Sequence, residues 1–310
     1  MDFKFTEPQS AEKDKKENEK LCVVFSGSYE DTPENSVIHV EEGIVEIAEN
    51  AFRGFKHLRE IYLPKSLLII SAAAFSGCEN LTVVSMREGL LEIQDEAFSS
   101  CPSLASVNIP DTVKRIGEGA FEGCASLSKL HISESVVIIG ASAFSFCFNL
   151  RDVVIPDSCA LVEFNAFSSC FSLESVKLSE NMGLIDESTF EGCRSLCLVD
   201  MPARLVKIGR RAFKGCASLS SLILPSTVRE IGLDAFSGCT SLLRIAFPKA
   251  LREIEDVDIF SGCDSLAVIS YGGSREAWEL LTSGKTLSVE RSDLSLFTPK
   301  LTIMDIKDEI

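Results

Sequence analysis

The sequence predicts an α/β repeat solenoid, a right-handed coil built on parallel strands, and three periodic features predict it. Phenylalanine recurs at a constant step at Phe52, Phe75, Phe98, Phe121, Phe144, Phe167, Phe190, Phe213 and Phe236, with Phe260 arriving one position late. Three positions further stands a cysteine (Cys78, Cys101, Cys124, Cys147, Cys170, Cys193, Cys216, Cys239, Cys263), with Phe55 in that place in the first period. Each period also carries apolar residues two apart, such as Val107 and Ile109, the alternation of a short strand with one buried face.

The elements follow a constant order. A leucine stands three positions after the cysteine in every period, from Leu58 and Leu81 to Leu266. The strand pair comes next, often ended by a proline, which cannot donate to a ladder, as at Pro64, Pro110, Pro156, Pro202, Pro225 and Pro248. A second apolar pair, such as Val113 and Ile116, marks a second short strand and leads through Gly117 to Ala120 and Phe121. The segment Ala-Phe-x-Gly/Ser-Cys is too short for a free helix and is expected as one helical or 3₁₀ turn held by its neighbours.

A period of about 23 residues cannot enclose its own apolar side chains, so coils must stack, Phe on Phe, Leu on Leu and Ile on Ile. About ten coils at roughly 4.8 Å per step make a curved rod of about 50 Å. Both ends need covers, because an open end exposes strand edges and core side chains. The expected organisation is a disordered polar segment at 1–20, the solenoid with its N-terminal cap at 21–271, and a C-terminal cap and tail at 272–310. The N-terminal cap comprises a strand-like run from Leu21 to Phe25 and a partial coil from Val37 to Ile47. After Gly272 and Gly273, a short helix is expected to bring Trp278 over the final coil.

With 46 acidic against 30 basic residues and a formal charge of -16, the chain lacks the basic balance of a nonspecific nucleic-acid or anionic-membrane binder. No run approaches the roughly 20 apolar residues of a membrane span, so no membrane insertion is expected. Met1 to Lys20 is rich in Lys and Glu, unlike a secretory signal, which points to the cytoplasm.

The stretch from Leu104 to Ser126 reads L-x-x-V-x-I-P-x-x-V-x-x-I-G-x-x-A-F-x-G-C-x-S. In this pattern the chain resembles the BspA-like, treponemal-type leucine-rich repeat proteins, over roughly Val37 to Tyr271, and Tyr271-Gly272-Gly273 before a Trp-bearing helix is similar to that family's usual ending. The resemblance implies a parallel sheet on the concave side and a role in protein binding. It also implies display on a microbial or parasite surface and adhesion to host or extracellular-matrix proteins, against the cytoplasmic indication of the first residues.

No catalytic set or cofactor site is expected. His39, His57 and His131 fall in different coils and at different repeat positions. Gly117, Gly119 and Gly123 belong to recurring turn columns and lack the strand and long helix of a phosphate loop. The cysteine column is read as a reduced packing ladder in preference to disulfides, because in-register parallel side chains hold their Cβ atoms wider than a disulfide prefers. Cys22, Cys159 and Cys197 lie outside the ladder; Cys159 takes an apolar core position and Cys197 is the expected exposed thiol.

Four surfaces are candidates for a protein partner. Two outward columns of the sheet vary while the core does not: one contains Glu60, Lys129, Asp152 and Leu198, and the other Tyr62, His131, Val154, Lys177, Asp200 and Ile223. Glu88, Asp111, Glu134, Asp157 and Glu180 share one turn position in five successive coils, an acidic stripe read either as solvated turn residues or as a site for a basic partner or divalent cations. Phe146, Phe148, Phe164 and Phe171 stand where other coils mostly carry small or polar residues, and are expected to cluster, either as a contact patch or beneath a covering loop or tail. Arg194, Arg204, Lys207, Arg210, Arg211 and Lys214 concentrate positive charge, read as balance for neighbouring acidic coils or as a contact for an acidic partner. The expected function is a noncatalytic binding or adhesion module. A cytosolic scaffold is the rival, and a polysaccharide-acting enzyme a weaker one, since Asp152 and Asp200 lie two coils apart.

Overall fold

Each period makes one turn and contributes two short strands, whose inward side chains stack on the equivalent residues of the coils above and below. In the computed structural model, which describes residues 23–27, 29–255 and 257–282, this arrangement produces a parallel-strand solenoid. The expected disordered segment 1–20, Cys22 and the tail from 283 lie outside the described residues. Eleven longer strands, from Val37–His39 to Val268–Tyr271, form a front face among the described residues. A second parallel set begins at Val23–Phe25 and ends at Glu253–Ile254. The number of coils is one more than the repeat count suggested, because the segment read as a partial coil carries both of its strands, Val37–His39 and Ile44–Ile47.

Register follows the repeat without slippage on the front face. Ser106 pairs with Lys129, Val107 with Leu130 and Asn108 with His131, each one period apart, so like positions share a face. The front ladder is divided into four parts, with breaks after Val83–Ser85, Lys129–His131 and Leu198–Asp200. The central residues of those three strands, Val84, Leu130 and Val199, are half-buried, whereas Val107 and Val153 are buried.

The Ala-Phe segment differs from the expected helical turn. It is a run of successive hydrogen-bonded turns; a 3₁₀ turn occurs at Val257–Phe260 in the last coil. The physical reason is competition for backbone donors. In the first coil the amides of Ala51, Arg53 and Phe55 close local turns, whereas those of Asn50, Phe52 and Gly54 donate to Ala72, Ala74 and Ser76 of the next coil. A helix would retain all of these donors within one coil and leave the stacked neighbour's carbonyls unsatisfied.

The core is a set of columns. Phe52 to Phe260 are nearly or fully buried, and successive rings stack in near-parallel planes, from 5.0 Å between Phe52 and Phe75 to 6.1 Å between Phe236 and Phe260. Phe25 extends the column by one ring, 5.1 Å from Phe52, although it lies outside the repeat spacing. At the other end Phe247 and Trp278 close the stack, and Tyr271 packs on Trp278 at 5.4 Å. Trp278 is brought there by the helix Arg275–Thr282, whose first turn is capped by the Ser274 hydroxyl accepting from the Ala277 amide.

Beside the rings runs the cysteine column. All nine ladder cysteines are free thiols, and each donates to the carbonyl of the phenylalanine one coil earlier, as Cys101 does to Phe75 at 3.2 Å and Cys170 to Phe144 at 3.2 Å. Cysteine suits the position because it is a small apolar side chain carrying one weak donor, aimed at a carbonyl inside the core. Burial pushes the Cys124 and Cys170 thiols up to about 12, since a thiolate there would have no solvation.

Two outcomes are expected. Phe144→Ala should lower unfolding free energy by about 3–5 kcal/mol in urea denaturation, because the gap is walled by Phe121 and Phe167 and cannot collapse. A loss below about 1 kcal/mol would contradict a load carried by the ring column. The thiols predict alkaline lability. A folded pKa raised above the unfolded value stabilises fully below the unfolded pKa, near 9, and the contribution is lost as pH rises towards 12, at up to about 1.4 kcal/mol per pH unit for each thiol. The Cys124 and Cys170 thiols should therefore ionise together with unfolding; their alkylation at pH 10 in an intact fold, located by peptide mapping, would refute this.

Candidate functional site: an aromatic edge

Phe148, Phe171 and Arg194 follow one another at one-period steps and share one turn column leading into the front strands. Backbone bonds between coils hold that column: the amides of Ser172, Ser195 and Ser218 donate to the carbonyls of Phe148, Phe171 and Arg194 at 3.1, 3.2 and 2.9 Å. The side chains consequently stack. Phe148 and Phe171 lie 4.9 Å apart with planes 12° from parallel, and the Arg194 guanidinium carbon sits 4.6 Å from the Phe171 ring centroid. Phe146 meets Phe148 edge to face at 6.2 Å. Such ring pairs contribute about 0.5–1.5 kcal/mol, and an exposed cation over a ring about 0.5–1 kcal/mol.

Phe146 is held in a backbone conformation that suits glycine. Its φ is 60°, and the equivalent residues of other coils, Gly123 and Gly192 among them, have φ of 70° and 76°. A side chain in this left-handed region costs about 1–2 kcal/mol. The ring is 43% exposed and Phe148 is 37% exposed; Ser100 and Ser169 hold the same turn position at φ of 57° and 60°. Phe164 is exposed too, but among the described residues no ring contact joins it to the other three. The structure thus assembles three of the four expected phenylalanines and adds Arg194, which its charge groups with the basic coil; its distance of one period from Phe171 was the available signal.

The other candidates are distributed. His131, Val154, Lys177, Asp200 and Ile223 are exposed and Tyr62 half-exposed on the front face, but they spread over separate parts of the broken ladder. Tyr62 stacks on His39 at 4.5 Å and donates to Glu60, whereas Val154, Lys177 and Asp200 stand side by side on paired strands. His131 borders an open groove of about 450 Å³ with Ser106, Asn108, Lys129 and Asp152. Asp152 accepts from the Ser175 hydroxyl at 2.6 Å, and the strand Ser175–Lys177 lies between its own strand and that of Asp200. His57 lies 3.2 Å from Asp31, whose carboxylate also accepts from the Lys56 and His57 amides.

All five residues of the acidic stripe are exposed, and part of their charge is answered by the backbone. Glu88 accepts from the Asp111 amide, Asp157 from Glu180 and Glu180 from Ala203, each one coil later. Among the described residues no group of three or more acidic, histidine or cysteine side chains is arranged to hold a metal ion. The basic coil pairs towards the C-terminal coils: Lys207 with Glu230, Lys214 and Arg211 with Asp234, and Arg210 with Glu255. Cys159 is buried and Cys197 exposed. Gly117 permits close coil contact, since a Cβ there would lie 2.5 Å from the Asp95 amide nitrogen.

The profile of the BspA type leucine rich repeat region matches residues 45–173 and 160–278, with six copies. The chain belongs to the BspA-type leucine-rich repeat family. Among solved structures it is similar to a leucine rich cell surface protein from Faecalibacterium prausnitzii A2-165, at 27% identity over 81% of this chain and 83% of that one, with a TM-score of 0.43. It is likewise similar to a T. pallidum leucine rich repeat protein, at 28% identity over 66% and 77% of the two chains and a TM-score of 0.43. A leucine-rich repeat protein from Bacteroides ovatus ATCC 8483 shares 24% identity over 86% and 91%, also with a TM-score of 0.43. No curated protein matches the chain. Against the repeated framework of this BspA-type chain, the aromatic edge stands out because its rings occupy turn positions that neighbouring coils fill with Ala125, Gly123, Ala217 and Gly215.

Phe146→Gly should change the unfolding free energy by no more than about 1.5 kcal/mol, because relief of about 1–2 kcal/mol of backbone strain is offset by about 0.5–1 kcal/mol of glycine chain entropy and about 0.5–1.5 kcal/mol of lost ring contact. Urea denaturation measures it directly. A larger loss would mean that the Phe146 ring contributes more to the fold than its conformation costs.

Proposed function

We propose that this chain is a noncatalytic protein-binding module whose contact edge is formed by Phe146, Phe148, Phe171 and Arg194. One observation carries the reading: Phe148, Phe171 and Arg194 of successive coils stack on one another at a turn column, with Phe146 edge-on to them and still 43% exposed. Partly exposed rings beside a guanidinium have the composition of a contact patch. The repeat architecture supports the same conclusion, since a solenoid holds its core constant and leaves turn positions free to vary. Among the described residues no helix is long and apolar enough to cross a membrane.

The family resemblance extends the proposal to adhesion at a cell surface, with a host or extracellular-matrix protein as partner. A scaffold in a reducing compartment is the second reading, favoured by the exposed free thiol of Cys197. Surface labelling of intact cells separates the two, an accessible chain supporting adhesion and a protected one the scaffold.

The edge itself is tested with the double variant Phe148→Ser, Phe171→Ser, immobilised beside the unaltered protein in extracts of the source cells and in host or matrix protein. The variant should remain cooperatively folded, at a cost of about 1.5–4 kcal/mol for the two ring pairs and the cation contact, and lose at least one retained protein about tenfold. Equal recovery by both proteins would remove this edge as the contact surface.

A further inference from the structure

We infer that the aromatic edge recognises an extended peptide segment of a partner protein that carries an aromatic residue and, about four residues away, a carboxylate. This deepens the proposed function and rests on it. On one side Phe148 is covered by Phe171; on the other the column continues with Ala125, which offers only a methyl group. A planar ring placed over Ala125 would continue the stack at the coil spacing, in the coil next to Phe146, whose ring is turned 82° to Phe148.

The opposite end is cationic. Arg194 is exposed over Phe171, and among the described residues no carboxylate lies within ion-pair distance of it. That contrasts with Lys207, Arg210, Arg211 and Lys214 of the adjoining coil, which are all paired in a chain of charge -16. A guanidinium already stacked on a ring presents its outer N–H groups in a fixed orientation, which suits a carboxylate.

Geometry sets the spacing. From the Phe148 ring to Phe171 is 4.9 Å and from Phe171 to the guanidinium 4.6 Å. One further step of roughly 5 Å reaches the open position over Ala125, so aromatic and carboxylate would be about 14 Å apart, or about four residues of extended chain. Charge and ring complementarity choose the occupant: one open aromatic position and one exposed guanidinium in line with it suit a short segment with an aromatic residue and a carboxylate.

The test uses fluorescein-labelled peptides with the folded full chain, followed by anisotropy. The first is Gly-Ser-Tyr-Asn-Gly-Ser-Glu-Gly, the second replaces its Glu with Lys, and the third replaces its Tyr with Ala. The first should bind at least about tenfold tighter than either other, and added salt should narrow its advantage over the Lys peptide. Arg194→Glu should reverse the preference between the Glu and Lys peptides. Phe148→Ser and Phe146→Gly should each remove binding in a protein that still unfolds cooperatively in urea. Equal binding of the three peptides, no binding of the first, or a preference unchanged by Arg194→Glu would overturn the inference. In any of those cases, loss of a captured protein by the Phe148→Ser, Phe171→Ser variant would leave the proposed contact edge standing.

Discussion

The spacing between consecutive coils, roughly 5 Å, constrains everything else in this molecule. At that distance an inward side chain touches its counterparts one coil before and one coil after, so each core position must suit its own kind. A phenylalanine ring does so by near-parallel stacking, and a cysteine by reaching back to the preceding phenylalanine carbonyl. Parallel backbone ladders satisfy the amides that face the next coil, including those of the Ala-Phe turns, where alternate donors leave the coil altogether. Burial of the rings and satisfaction of the backbone are thus two consequences of one repeat distance.

The same constraint makes the ends special. A stack that propagates by self-similarity has no internal reason to stop, and both of its terminal faces are apolar. Phe25 and Tyr29 meet the first core ring at one end. Phe247, Tyr271 and Trp278 gather at the other, where a helix turns across the column and replaces the missing coil. Aromatic residues serve here because one wide ring covers the face of another without requiring a further strand.

Surface features are read against this repetition. Glu88, Asp157 and Glu180 of the acidic stripe and Lys207, Arg210, Arg211 and Lys214 of the basic coil find partners one or two coils away, so these charges help to hold neighbours together. The aromatic edge is different: its stacking uses the coil spacing, yet the rings lie outside the core and one of them occupies a strained turn. A binding surface on such a scaffold needs few changes, because the framework already aligns whatever side chains stand one period apart. The front sheet offers variable columns as well, but breaks in its ladder scatter Tyr62, His131 and Ile223 over separate parts.

The solenoid, its parallel strands and its core columns, the cysteine column among them, were legible in the sequence because the period is constant and every buried position repeats. The same logic places Phe148 over Phe171, and extends to Arg194 above them, although the charge of Arg194 draws it towards the basic coil in a reading by composition. Contacts between positions that do not share a column depend on how each turn bends, and only the tertiary structure decided them. That is why Phe146 joins the stack while Phe164 does not, why Phe25 completes a ring column from outside the repeat, and why the Ala-Phe segment is a chain of turns instead of a helix. Periodicity specifies which residues lie above one another; backbone direction within a coil, set by the competition for hydrogen bonds between coils, specifies which lie side by side.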